Sequence, residues 1–218
     1  MLERYRTVYQ GGQAEIVEKK SRFIATVRHV EKEEEILAFL EEMRKKYWDA
    51  RHNCYAYTIG LNRELTRCSD DGEPSQTAGR PMLDVVLGAQ LYDTAVVVTR
   101  YFGGVLLGTG GLVRAYSTAV QAGLAASDVI ERIHGISLRV NMDYTDYGKV
   151  QYLANQKGFT VWKTDFADSV TMQLLLPASQ EGSARSAITE STNARAEMVK
   201  EKELYFANHD GEVLTFDR

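Results

Sequence analysis

The chain has 218 residues, 44% hydrophobic and 26% charged, with a formal net charge of −4. Such a chain is globular and long enough for one large domain or two smaller ones, burying about 70% of the surface it exposes when unfolded. A bulk nucleic-acid coat is excluded, because a net negative chain meets phosphate only through a local patch.

The start from Met1 to Gly12 is polar, no apolar run approaches the roughly 18 residues of a membrane span, and Cys54 and Cys68 are the only cysteines. A cytoplasmic protein with free thiols, no export signal and no membrane partner is expected. Gly12 to Arg28 reads as two short strands around Lys19-Lys20-Ser21-Arg22. Glu31 to Tyr47 reads as an amphipathic helix. Its acids come early, Arg44, Lys45 and Lys46 come late, and Ile36, Leu37, Phe39, Leu40 and Met43 form its apolar face. Arg51 to Ile59 alternates as a strand, with His52, Cys54, Ala56 and Thr58 on one side. Ser69 to Ser75 is a turn by its Asp-Gly and Pro content, and it leads to Pro81 at the first position of a helix. Met82, Leu83, Val86, Leu87 and Leu91 give that helix its buried stripe. Thr94 to Thr99 is rich in β-branched residues and uninterrupted by charge, a strand buried on both faces.

Five glycines follow between Gly103 and Gly111, after which Leu112, Tyr116, Ala119, Val120 and Leu124 recur at helical spacing. A helix starting near Gly111 leaves unpaired N–H groups and a partial positive charge, and glycine lets the loop press close to an anion. Arg114 sharpens the case. A cation in the first turn opposes the helix dipole at a cost of about 0.3–1 kcal/mol, so a bound phosphate or carboxylate, or an acid such as Asp70, Asp71 or Glu73, should offset it. The alternative is a tightly packed glycine turn that holds only water. Nucleotide fingerprints fail: Gly108 is followed by Thr109 where a Walker loop needs Lys, and the dinucleotide pattern breaks at Val113. Between Lys46 and Lys149 every cation is an arginine, the side chain suited to bidentate contact with phosphate or carboxylate.

From Ile136 the order is strand to Met142, helix Tyr144 to Lys157, strand Phe159 to Phe166, strand Ser169 to Leu176, helix Ser179 to Thr192 and strand Met198 to Ala207. This β-α-β-β-α-β order predicts a ferredoxin-like domain over 135–218 after a first domain over 1–134. His52 and Cys54 share a strand side, which invites a nucleophile reading, but no third orienting group is identifiable and packing is the plainer role. Asp70, Asp71 and Glu73 either hold Mg²⁺ or form a solvated turn that pairs with arginines. Tyr55, Tyr57, Tyr101 and Phe102 are either core or a stacking surface for RNA bases.

Lys20-Ser21-Arg22-Phe23-Ile24-Ala25, Ala50-Arg51-His52-Asn53-Cys54-Tyr55-Ala56-Tyr57, Ser69-Asp70-Asp71-Gly72-Glu73-Pro74-Ser75 with Thr77 to Pro81, and Val98 to Gly104 with Leu107 to Ser117 form four ordered blocks that closely resemble the IMPACT/YigZ family. The resemblance covers about residues 15–125, and the remainder from about 136 looks like the C-terminal domain of bacterial members. It implies an α+β protein. The first domain would be similar to domain 2 of ribosomal protein S5, and the ferredoxin-like second to domain V of the translocating elongation factor. Gln76 departs from the glycine expected after Ser75, and Thr109 stands where alanine is common. Eukaryotic relatives regulate translation initiation through an added domain absent here.

These readings converge on a translation-associated regulator that binds RNA or a ribosomal component. Arg51, His52, Arg80, Arg100, Tyr101, Gly108, Thr109, Gly110, Gly111 and Arg114 form the anion site, with Arg100 and Arg114 on phosphate. Asp70, Asp71 and Glu73 orient the arginines or hold a metal. No catalytic residue and no cofactor is assigned. Two alternatives stand: an enzyme on a small phosphorylated or carboxylated substrate with Mg²⁺, and a regulator that binds a translation-related protein.

Overall fold

The computed structural model describes residues 2–217. They form two compact units, one of Tyr5–Ile130 and one that starts at Glu131 and takes in the N-terminal residues up to Arg4. In chain order the first unit carries β1 (Arg4–Gln10), β2 (Gln13–Glu18), β3 (Ser21–His29), α1 (Glu33–Lys46), β4 (His52–Ile59), β5 (Leu65–Ser69), α2 (Gly79–Gly88), β6 (Leu91–Tyr92), β7 (Thr94–Tyr101) and α3 (Thr109–Ala125). Its main sheet runs β2-β3-β7-β4-β5, all antiparallel, while β1 pairs in parallel with β6 outside that sheet.

Alternation along β7 explains the layering. Val96 and Val98 join Phe23, Ala25, Val27, Cys54 and Ala56 on one face, under Met82, Val86, Leu112, Tyr116, Ala119 and Val120 of α2 and α3. Ala95 and Val97 face the other way with Tyr57 and Ile59, under Ile36, Phe39, Leu40 and Met43 of α1. With helices on both faces, the central strand is apolar on both, in keeping with its charge-free run Ala95 to Val98. The strand ends that carry Phe23, His52 and Arg100 lie in register, so these three side chains share the α2/α3 face.

The second unit contains β8 (Asp128–Met142), α4 (Tyr144–Lys157), β9 (Thr160–Phe166), β10 (Val170–Pro177), α5 (Glu181–Ser191), β11 (Glu197–His209) and β12 (Glu212–Phe216). Its strands lie in the order β12-β11-β8-β10-β9. Setting β12 aside, the spatial order is fourth, first, third, second, which is the ferredoxin-like arrangement. Ile136, Leu138, Val140, Met172 and Leu174 fill the core under Val150, Ala154 and Ile188 of the two helices. The opposite side carries a smaller apolar cluster of Leu175, Leu204 and Phe206, beside polar positions where Gln173 donates to Ser137 and Glu201.

Asp146, buried in the first turn of α4, accepts two hydrogen bonds from Arg195 at 2.9 and 2.7 Å and one from Lys149 at 2.8 Å. The Arg195 and Lys149 donors hold its carboxyl down at about 2, from an ordinary 3.8. Because the folded value is depressed, this stabilisation is complete above the ordinary value and is lost as pH falls through about 2. Acid titration followed by circular dichroism should show Asp146→Asn with a shallower loss of stability across that window than the parent chain. Equal slopes would refute the assignment.

Several boundaries differ from the sequence reading. β1 is not expected from the polar start of the chain, and β5, β6 and β12 are edge strands of two to five residues whose alternation is too brief to register by pattern. Leu91 lies in β6 rather than in α2, whose helix ends at Gly88. α3 begins at Thr109, two residues earlier than expected, and β8 begins at Asp128 rather than Ile136.

Candidate functional site

The loop between β5 and α2 is built on three acids, each committed differently. Asp70 accepts backbone N–H groups from Gln76, Ala78 and Gly79 at 2.8–2.9 Å, which seals the N-terminus of α2. Burial alone would raise the Asp70 pKa. The three N–H donors outweigh it and hold the carboxyl below its ordinary value. Asp71 accepts the Asn53 N–H at 2.7 Å, and its carbonyl lies 2.8 Å from His52 Nδ1, so that nitrogen carries a proton. Glu73 turns inward. One of its oxygens takes Arg100 Nη1 at 2.6 Å and the Tyr116 hydroxyl at 2.8 Å.

That inward arrangement forms a buried polar chain beneath α3. Cys54 Sγ lies 3.3 Å from the Tyr116 hydroxyl and donates to the Asp70 carbonyl at 3.0 Å. Burial pushes the Cys54 thiol and the Tyr116 phenol well up, so neither ionises near neutral pH. The side chains of Arg100 and Glu73 are only 7% and 3% exposed. A buried pair of this kind holds geometry and contributes little net stability, since desolvation offsets most of the attraction.

The glycine-rich loop then crosses from β7 to α3. Gly103 is required by close approach: a Cβ there would lie 2.0 Å from the backbone of Lys20. Gly108, at φ +73°, precedes the helix in a conformation that L side chains rarely adopt. The first intrahelical bond is Leu112 N–H to Gly108 at 3.0 Å. The N–H groups of Thr109, Gly110 and Gly111 therefore have no partner among the described residues, and no side chain caps them. Arg114, three residues beyond Gly111, is exposed and makes no ion pair among the described residues. It lines a cavity of about 240 Å³ with Ile16, Glu18, Lys19, Leu107, Gly111 and Thr118, so Glu18 shares the hollow without pairing with it.

The expected site residues thus divide. Gly111 and Arg114 share one hollow, with Gly108, Thr109 and Gly110 at its helix terminus. His52, Asp70, Asp71, Glu73 and Arg100 form the loop-and-strand cluster described above. The expectation that Arg100 touches phosphate is corrected: its guanidinium is buried and paired with Glu73, held between the rings of Phe23 and Phe102. Asp70, Asp71 and Glu73 do not converge on a metal, because their carboxylates bind different internal partners, and the described residues hold no cluster of three or more metal-ligating side chains. Nor do these acids offset Arg114. Of these acids, Glu73 pairs with Arg100. Arg80 pairs with Asp84 one helical turn away, and Arg51 is exposed at the start of β4.

Tyr101 faces the α1 side of the sheet and donates to Asp49 at 2.7 Å. Its phenol is pushed up to about 12 by desolvation and by Asp49. Tyr116 and Lys19 were missed as site residues. Tyr116 sat inside an apolar stripe, where its hydroxyl alone hinted at a polar partner. Lys19 faces the hollow only because β2 pairs with β3 and packs beside α3. Cys54 and Cys68 are both free thiols. No helix among the described residues is long and apolar enough to cross a membrane.

These features define a two-unit α+β protein: a sheet between helices that carries an open, cationic helix terminus, and a ferredoxin-like unit. The family model for the Impact N-terminal domain matches residues 19–124, and one described as a domain of unknown function (DUF1949) matches residues 140–195. IMPACT family member YvyE of Bacillus subtilis is 40% identical over 206 residues, covering 94% of each chain. IMPACT family member YigZ of Escherichia coli is 35% identical over 164 residues, 74% of this chain and 80% of its own. A crystal structure described as that of an hypothetical protein overlays with a TM-score of 0.60 at 29% identity, covering 93% of this chain and 99% of that one. The chain belongs to the IMPACT family.

Proposed function

We propose that this protein is a cytoplasmic, translation-associated regulator whose first unit binds phosphate oxygens of RNA, in the ribosome or free, at the N-terminus of α3. One observation carries the reading: three successive N–H groups are uncommitted where the unpaired cation Arg114 stands against the helix dipole. At the other helix N-termini of this unit the chain supplies its own negative charge: Glu33, Glu34 and Glu35 stand in the first turn of α1, and Asp70 accepts the Gly79 N–H at the start of α2, whereas the first turn of α3 holds no acid. An anion at α3 supplies what the chain does not: a first-turn negative charge on the helix and an ion-pair partner for Arg114, since Glu18 lines the hollow without pairing with it. The link to translation comes from family membership, since the resemblance implies regulators of translation initiation among eukaryotic members. The likeness to domain 2 of ribosomal protein S5 points the same way by fold analogy.

Filter binding of purified ribosomal RNA across a salt series tests the site. Replacing Arg114 with Gln should weaken binding and lower the log–log salt slope by about 0.9 for duplex or 0.7 for single-stranded contacts. Unchanged affinity and slope would end this reading. Gly110→Ala gives a second check. A Cβ at Gly110 meets nothing within 4 Å, so the variant should fold and gain up to about 1 kcal/mol in thermal melts from helix propensity. The added methyl crowds the anion's approach and should still weaken RNA binding. A stabilised variant with parental affinity would show that the amides hold no ligand.

A further inference from the structure

Trp48 is 82% exposed and has no ring or hydrogen-bond partner among the described residues. Exposure of so large an apolar surface needs a reason, because tryptophan is normally highly buried. Trp48 is also held in place rather than trailing. The Ala50 N–H closes a turn onto the Tyr47 carbonyl at 3.0 Å, and Asp49 in that turn accepts the Tyr101 hydroxyl at 2.7 Å. The Asp49–Tyr101 bond therefore ties the turn that carries Trp48 to the end of β7, where the Tyr101 ring has the Arg22 guanidinium 5.4 Å from its centroid. Phe102, the next residue, is also exposed, and Gly103 after it packs on Lys20 and Ser21.

The charge around these rings is mainly positive, the acid that acts on Lys46, Glu42, being ion-paired with Arg28. Lys20 and Arg51 are exposed without an acidic partner among the described residues, and Lys46 lies 5.1 Å from the Tyr47 ring with a hydrogen bond only to Gln13. Of the nearby acids, Glu15 is taken by Arg22 and Asp49 by Tyr101. Exposed aromatic rings interleaved with free cations suit a strand whose bases are unstacked and whose phosphates need neutralising. Chain continuity from Tyr101 through Gly103 to Lys19 and Gly111 joins this surface to the hollow at α3.

We infer that Trp48, with Tyr101, is a stacking platform for bases of single-stranded RNA, flanked by Lys20, Lys46 and Arg51 as phosphate contacts. The inference rests on the RNA-binding reading and narrows it from RNA in general to unpaired strands. The chain has two tryptophans, so Trp162→Phe leaves Trp48 as the sole indole emitter. In that full-length background, oligo(U) should quench Trp48 emission, whereas the same strand annealed to oligo(A) should not. Trp48→Ala should weaken oligo(U) binding between about fivefold and a hundredfold, the range of one lost stacking contact. Trp48→Phe should retain most of the affinity, and duplex binding should not change.

Parental oligo(U) affinity in Trp48→Ala, or unchanged emission at saturation, overturns the platform. If Arg114→Gln still weakens RNA binding in that case, the anion site stands without it. Equal quenching by duplex overturns the single-strand preference. Should neither RNA bind the parent chain, both readings fall together.

Discussion

Glu73→Gln is expected to lose about 3–5 kcal/mol of unfolding free energy, because it leaves the Arg100 guanidinium buried without a counter-charge. The loss should be larger than a single hydrogen bond explains, since Tyr116 also donates to the same oxygen. Urea unfolding measures it directly. The matching double variant, Glu73→Leu with Arg100→Met, removes both charges and should recover most of the stability, because apolar replacement of a buried pair is near neutral. A double variant as unstable as Glu73→Gln would show that the pair is not what the site depends on. Recovery should not extend to function if the pair holds α3 at its working angle through Tyr116. Ribosomal RNA binding by the refolded double variant tests that separately.

The second large effect is expected at Asp70. Replacing it with Ala removes the acceptor for three backbone N–H groups and unseals α2, a loss on the order of 3 kcal/mol. Its pH dependence has a definite sign. The Asp70 carboxyl sits below its ordinary value when folded, so its stabilisation is present above that value and fades as pH falls through the folded one. The parent should therefore lose more stability than Asp70→Ala on acidification below the ordinary carboxylate range. Parallel acid profiles would contradict the role.

Much of this could be read from residue order, and particular elements show why. α1 was legible over almost its whole length because its apolar face recurs at helical spacing and its charges run with the dipole. The ferredoxin-like unit was legible because helix and strand periods alternate cleanly from Ile136 onward. β6, two residues long, carries no period at all, so Leu91 was absorbed into the apolar stripe of the helix before it. The candidate site was legible only in part. Gly108 to Gly111 and Arg114 are neighbours in the chain, and proximity followed from continuity. Arg100 seemed equivalent to Arg114 by charge, yet its place opposite Phe23 and His52 put it under a helix.

Trp48 marks the limit in the other direction. In sequence it is one more apolar residue after a helix; only the turn closed by Ala50 and the Asp49–Tyr101 bond show it standing in solvent. The residue order by itself determined the family and the α+β class and located the glycine-rich helix start, because each depends on local period, backbone preference or adjacent residues. The tertiary structure decided which charges remain free. Whether an arginine meets solvent or a buried carboxylate depends on partners tens of residues away, as Glu73 is from Arg100, and no local pattern encodes that pairing.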